Sequence, residues 1–238
     1  MSKSVENISL ASAARIAGYG YLAIIVLAIF AEFFVRSTLV VPGDAVTTAN
    51  NIMANQGLYR FGVASYLLAA IFDVMVAVAL YIFLRPVNKG LALLAAWFRL
   101  IHAIIFAVAL TNLLNVLHLL SGAEYLSAFT AEQLQAQLMV FLDAFDYEWL
   151  IGLVFFGLHC LLLGYLIVKS DYVPKILGIL LVVAAFGYLV DSFAHFLMAS
   201  YSDYQDVFLM MVALPAIAAE LSFCLWLLIK GARLERAQ

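Results

Sequence analysis

Charge is scarce in this sequence. Lysine, arginine, aspartate and glutamate make up 11% of its 238 residues, against about 25% in an ordinary soluble domain. There is no basic run, and the formal net charge is only −3, so the electrostatic footprint of a nucleic-acid binder is missing. Cysteine is nearly absent. Cys160 and Cys224 both sit inside apolar stretches, which excludes a disulfide framework and reads as small hydrophobic packing. No phosphate loop, dinucleotide fingerprint, nucleophile elbow or HExxH spacing occurs, so the common motif-borne chemistries are excluded and no catalytic residue is assigned. Strand-like alternation is missing as well, which removes a membrane barrel.

What is abundant is apolar surface: 67% of residues are hydrophobic and the mean hydropathy is +1.08. A water-soluble chain of this length could not bury that much, so lipid is the expected solvent. Six segments supply the 20 or so apolar residues a spanning helix needs: residues 16–35, 61–84, 91–120, 149–168, 176–199 and 207–229. The first lacks a small-residue cleavage pattern and reads as an uncleaved span. The expectation is an all-α, polytopic membrane bundle of six transmembrane helices forming a single domain over 1–238.

Orientation follows from the basic residues. Lys3, Arg15, Arg85, Lys89, Lys169, Lys175, Lys230, Arg233 and Arg236 fall on one side of the six spans, and only Arg36 and Arg60 on the other. The positive-inside rule then places both termini in the cytoplasm. The cytoplasmic links at 85–90 and 169–175 are tight. The first two outer links carry helix-start signals, namely Pro42-Gly43-Asp44 before AVTTANNIM and a Thr130/Gln133 capping box, and predict short interfacial helices. Tyr59, Trp149, Tyr172, Tyr201 and Tyr204 near span ends read as interfacial anchors.

Ionisable groups inside a membrane cost about 2.5–3.5 kcal/mol each on insertion scales, so each one is a functional candidate. At 1.5 Å per residue from the nearest cytoplasmic cation, Asp73, Arg99, His102, His159 and Glu220 all fall at a depth of about 15–20 Å. Four helices thus bring two carboxylates, two imidazoles and a guanidinium to one level, where they are expected to converge and line a buried polar cavity. Arg99 can pair with Asp73 or Glu220, leaving one carboxylate to be neutralised by a proton, a histidinium or a cation. Pro215, five residues before Glu220, should kink its helix and free a carbonyl near the cluster. A second polar layer is expected nearer the outer face: Glu32, Asn112, Asn115, His118, Asp191 and His195, with the last two sharing a helical face.

The same residues fit other chemistries. His102 and His159 with Glu220 could form a His₂-carboxylate zinc site for an intramembrane hydrolase acting on lipid. The pairs His102/His159 and His118/His195 could ligate haem. A purely structural ionic network, in a partner-binding subunit without chemistry, also fits. Gly157 and Gly164, seven apart, point to close helix packing rather than ligand contact.

The stretches VPGDA (41–45), LRPVNKGLALLAAWFRL (84–100), LIGLVFFGLHCLLLGYLIVKS (150–170), YVPKILGILL (172–181), GYLVDSF (187–193) and ELSFCLWLLIKG (220–231) together resemble a bacterial membrane family catalogued as a domain of unknown function, DUF4386. The resemblance implies a multi-pass protein of the bacterial inner membrane and no established activity. Arg99, His159, Asp191 and Glu220 lie in the matching stretches; His102, His118 and His195 are not assigned to the pattern. The expected role is handling or sensing a proton, an ion or a small polar solute. The partners expected are the lipid bilayer and that solute; the sequence leaves the oligomeric state open.

Overall fold

A computed structural model of the chain describes residues 8–237, and side chains over 8–234. Lys3 and the Arg236 side chain, both used in the orientation count, lie outside the described residues. The described structure is helical. Helix α1 (Leu10–Ile29) passes into a π-helical turn, Phe30–Arg36, and ends at Leu39. Then come α2 (Ala45–Ala54), α3 (Gln56–Leu84), α4 (Lys89–Leu119), α5 (Ala131–Lys169), α6 (Lys175–Leu197) and α7 (Gln205–Ile229). Six stretches are long and apolar enough to cross a membrane: Leu10–Leu39, Gln56–Leu84, Lys89–Leu119, Ala131–Lys169, Lys175–Leu197 and Tyr201–Leu234.

The links are built from local chemistry. Before α2, Gly43 takes a left-handed φ of +76°, a conformation glycine adopts without steric cost. Asp44 then caps the helix, accepting from the Thr47 amide at 2.9 Å and the Thr47 hydroxyl at 2.7 Å. Those bonds hold the Asp44 carboxyl below the usual carboxylate range. The α5 start is a reciprocal capping box: the Gln133 side-chain oxygen accepts from the Thr130 amide at 2.9 Å, and the Gln133 amide donates to the Thr130 hydroxyl at 3.3 Å.

The second outer link differs from expectation, because α5 is unbroken over its 39 residues instead of forming a short helix followed by a span. Residues 131–151 contain neither glycine nor proline, so nothing interrupts the hydrogen-bond ladder. Its length, about 58 Å, is nearly twice the hydrocarbon thickness of about 30 Å.

The chain clusters into two compact units. One comprises Met1–Leu22, Phe72–His102 and Leu153–Gln238; the other comprises Ala23–Ile71 and Ala103–Gly152. The second unit is centred on aromatic side chains, with Tyr66 and Phe106 rings 5.5 Å apart and Phe106 and Trp149 rings 4.7 Å apart. Tyr59, expected as an interfacial anchor, belongs to this core. It is 3% exposed, and its hydroxyl donates to the Leu113 carbonyl at 3.2 Å. A tyrosine near a helix start reads as an anchor unless another helix offers its hydroxyl an acceptor, and α4 does so here.

Close helix contact at glycine organises the first unit. A Cβ built on Gly157 of α5 would lie 3.0 Å from the Leu189 side chain and 3.3 Å from the Ala185 carbonyl of α6, so this glycine serves packing. One turn on, Gly164 and Gly178 face one another's backbones. At the α6/α7 contact, a Cβ on Gly187 would sit 2.9 Å from the Met211 carbonyl oxygen. That oxygen is the acceptor Pro215 leaves without its i→i−4 donor. The sequence placed this freed carbonyl near Glu220. It lies nine residues, or about 13 Å, from Glu220 along the axis, and it meets α6 instead. Gly187→Ala should therefore cost about 1–3 kcal/mol by overpacking. Gly57→Ala, at an exposed position with nothing within 4 Å, should gain about 0.4–1 kcal/mol. Thermal unfolding of the two variants in one detergent checks this; equal shifts would show that the α6/α7 backbones are not in contact.

Candidate functional site

Arg99, on α4, is 1% exposed and reaches side chains of three other helices. Its Nη2 donates to Asp73 Oδ1 of α3 at 2.5 Å, and its Nη1 donates to the Tyr21 hydroxyl of α1 at 2.9 Å. Nη1 also lies 3.2 Å from His159 Nε2 of α5. The guanidinium stacks over the Tyr21 ring at 4.6 Å and over the Phe156 ring at 5.3 Å, which adds cation–π attraction in a dry setting. The arginine Nε is buried without a hydrogen-bond partner among the described residues.

Donor and acceptor roles fix the His159 tautomer. Nδ1 lies 2.8 Å from the Ala95 carbonyl oxygen, which can only accept, and Nε2 faces an arginine N–H, which can only donate. The proton therefore sits on Nδ1, and the Nε2 lone pair is occupied. His102 completes this side of the cluster, with Nε2 3.7 Å from Asp73 Oδ2 and its ring 5.0 Å from Phe156. Asp73, His102 and His159 are all buried.

Glu220 is placed differently. Arg99 takes Asp73, and the Glu220 carboxylate instead accepts from the Tyr188 hydroxyl of α6 at 2.6 Å. Tyr188 in turn packs edge-on against Phe156, 5.3 Å between centroids. The five polar residues are thus an Arg99-centred group of four and a separate Glu220–Tyr188 pair, with the Phe156 ring touching both Arg99 and Tyr188. Within this group, one guanidinium meets two carboxylates and only one of them is paired with it.

The outer polar residues do not form one network. Glu32 accepts from Tyr66 at 2.5 Å and lies 3.5 Å from Arg36. His118 hydrogen-bonds Tyr125. Asp191 accepts from Tyr201 at 2.7 Å, and the His195 ring lies 4.4 Å from the same tyrosine, in keeping with their shared helical face. Asn112 is buried with an unpartnered side-chain nitrogen, and Asn115 is partly buried. The residues missed from sequence are mostly tyrosines: Tyr21, Tyr66 and Tyr188 each hold a charged side chain. A phenol far from a span end is itself a polar group in need of a partner, and that was the unread signal. Arg36, taken for a loop residue, is also missed; it is helical and bonds Asp146 at 2.5 Å.

The metal and haem readings fare poorly on the donor set. Among the described residues no three His, Cys, Asp or Glu side chains are grouped to hold a metal ion. His159 has neither ring nitrogen to spare, and its neighbour is a cation, so His102, His159 and Glu220 do not assemble as ligands. The His102/His159 haem pair fails for the same reason.

No solved structure matches the chain. A relative in Archaeoglobus fulgidus, named an uncharacterized protein, is 33% identical over 175 residues, covering 74% of this chain and 86% of that protein. The family model described as "Domain of unknown function (DUF4386)" matches residues 16–231. The chain belongs to the DUF4386 family.

Proposed function

We propose that this protein is a multi-pass membrane protein that binds and releases a proton, or an ion or small polar solute in exchange for one, at Glu220. The observation carrying this reading is the charge count around Arg99. Asp73 satisfies the guanidinium, while Glu220 has a neutral hydroxyl as its partner, so its charge must be met by something that comes and goes. Arg99 and Asp73 then form the fixed part of the site and Glu220–Tyr188 the responsive part.

The same reading places the protein in a cytoplasmic membrane with both termini inside, supported by the nine-to-two distribution of basic residues. Helix α2, which buries Thr48, Ala49 and Ile52 and exposes Val46 and Met53, would lie along the outer interface.

Protein reconstituted in liposomes loaded with a pH-sensitive dye tests the function, with amino acids, sugars and monovalent cations presented outside. At least one class should change the internal pH, and Glu220→Gln should slow that change at least tenfold. If no compound moves protons beyond the protein-free control, the reading is wrong. A structural role for the buried network would then be favoured, since Arg99 already ties α1, α3 and α5 together.

A further inference from the structure

The second unit holds a charged cluster of its own. Arg36 Nη2 sits 2.5 Å from Asp146 Oδ1, and its Nη1 lies 3.5 Å from Glu32. Its guanidinium stacks on the Phe145 ring at 5.2 Å. One cation again meets two carboxylates. Asp146 has the short bond, and Glu32 has the long one plus the Tyr66 hydroxyl at 2.5 Å. Asp143, one turn before Asp146, adds a further acidic group on α5.

Beside this cluster is a cavity of about 10 Å³, lined by Arg36, Tyr59 and Tyr66 among apolar side chains. That is room for about one water molecule. The polar groups on its wall complement one water. Tyr59 spends its proton on the Leu113 carbonyl and Tyr66 spends its own on Glu32, so both hydroxyl oxygens keep lone pairs to accept. Arg36 Nε is buried and lacks a partner among the described residues, so it has an N–H to donate. A water accepts one hydrogen bond and donates two, and each orphan is satisfied.

We propose that Glu32, Tyr66 and one water held among Tyr59, Tyr66 and Arg36 form a second proton-exchanging site, separate from Glu220. The Glu32 side chain is 40% exposed, and it lies seven residues, about 10 Å, from the end of the first spanning stretch at Leu39. Protons can thus reach it from that membrane surface. Transfer inward is balanced: protonated Glu32 gives its proton to the Tyr66 oxygen as Tyr66 gives its own to the water. One O–H bond forms for each that breaks, and the phenol ends as it began. The π-helical turn that carries Glu32 and Arg36 suits such a role, because π segments in α-helices recur at functional sites.

Infrared difference spectra, acid minus neutral, of the full chain in lipid nanodiscs test this. The wild type should gain a carboxylic C=O band that Glu32→Gln loses and Glu220→Gln keeps. Tyr66→Phe should move that band to higher wavenumber, because a donor to the carboxyl is removed. An O–H band that shifts in H₂¹⁸O should be present and should be lost in Tyr59→Phe. Both phenylalanine variants keep the ring that packs, so they decide the matter if Glu32→Gln fails to fold. A Glu32→Gln spectrum superimposable on wild type overturns the site. So does a band indifferent to Tyr66→Phe, the behaviour of an ordinary surface carboxyl. Absence of the isotope-sensitive band overturns the bound water. None of these outcomes depends on whether Glu220 works as proposed.

Discussion

Arg99→Met should destabilise the folded protein by about 3–5 kcal/mol, because it leaves the Asp73 carboxylate buried opposite a methyl group. Asp73→Asn should cost a comparable amount for the converse reason, stranding a guanidinium that is 1% exposed. The two changes together should cost less than either alone, since no uncompensated charge is then left in a low-dielectric interior. Arg99→Lys is not a mild replacement here. A lysine ammonium cannot serve Asp73, Tyr21 and His159 with the planar fork that arginine presents, nor stack on Tyr21 and Phe156 in the same way. Unfolding of the four variants in one detergent at one pH gives the cycle. Single variants within 0.5 kcal/mol of wild type, on the order of the usual surface effect, would mean that water reaches the pair and that the network is not the buried pin described.

The second large effect is expected where α5 crosses α6. A Cβ on Gly164 would stand 2.5 Å from the Gly178 carbonyl oxygen and 3.1 Å from the Val182 amide nitrogen, and a Cβ on Gly178 would stand 2.6 Å from the Gly164 carbonyl. These obstacles are backbone atoms, so no side-chain rotation relieves them and the helices must separate. Gly164→Ala should cost about 3 kcal/mol, at the upper end of overpacking losses. Gly178→Ala should behave alike, and the double variant should cost less than the sum, because helices already parted by one methyl accommodate the second. The shift of the thermal midpoint reports it. Additive losses would indicate two independent contacts rather than one shared crossing.

Much of the architecture was legible because its signals are long. An apolar run of 20 or more residues needs no tertiary information to be read as a span, and the capping pairs Asp44/Thr47 and Thr130/Gln133 are strictly local. The depth estimate also brought Asp73, Arg99, His102 and His159 to one level, where they meet around the arginine. Depth fixes only one coordinate, however. Which carboxylate Arg99 takes depends on how each helix is rotated about its axis, and with near-uniform hydrophobicity around every span that angle was not readable. The same gap hid the tyrosines, whose rings look lipid-compatible until a neighbour offers their hydroxyls a charge. It hid the Arg36–Asp146 pair as well, because both residues were counted as loop when both helices extend further than their apolar cores.

The wide turn at Phe30–Arg36, where the Ser37 amide reaches back to the Glu32 carbonyl, carries one residue more than an α-helix would use there. Removing any single residue from it would restore regular winding and rotate everything beyond by about 100°. Val35 and Leu39 would swing out of the core, and Arg36 would lose Asp146. That stretch therefore tolerates changes of identity far better than changes of length, and relatives that keep the arginine–aspartate clasp must keep the extra residue too.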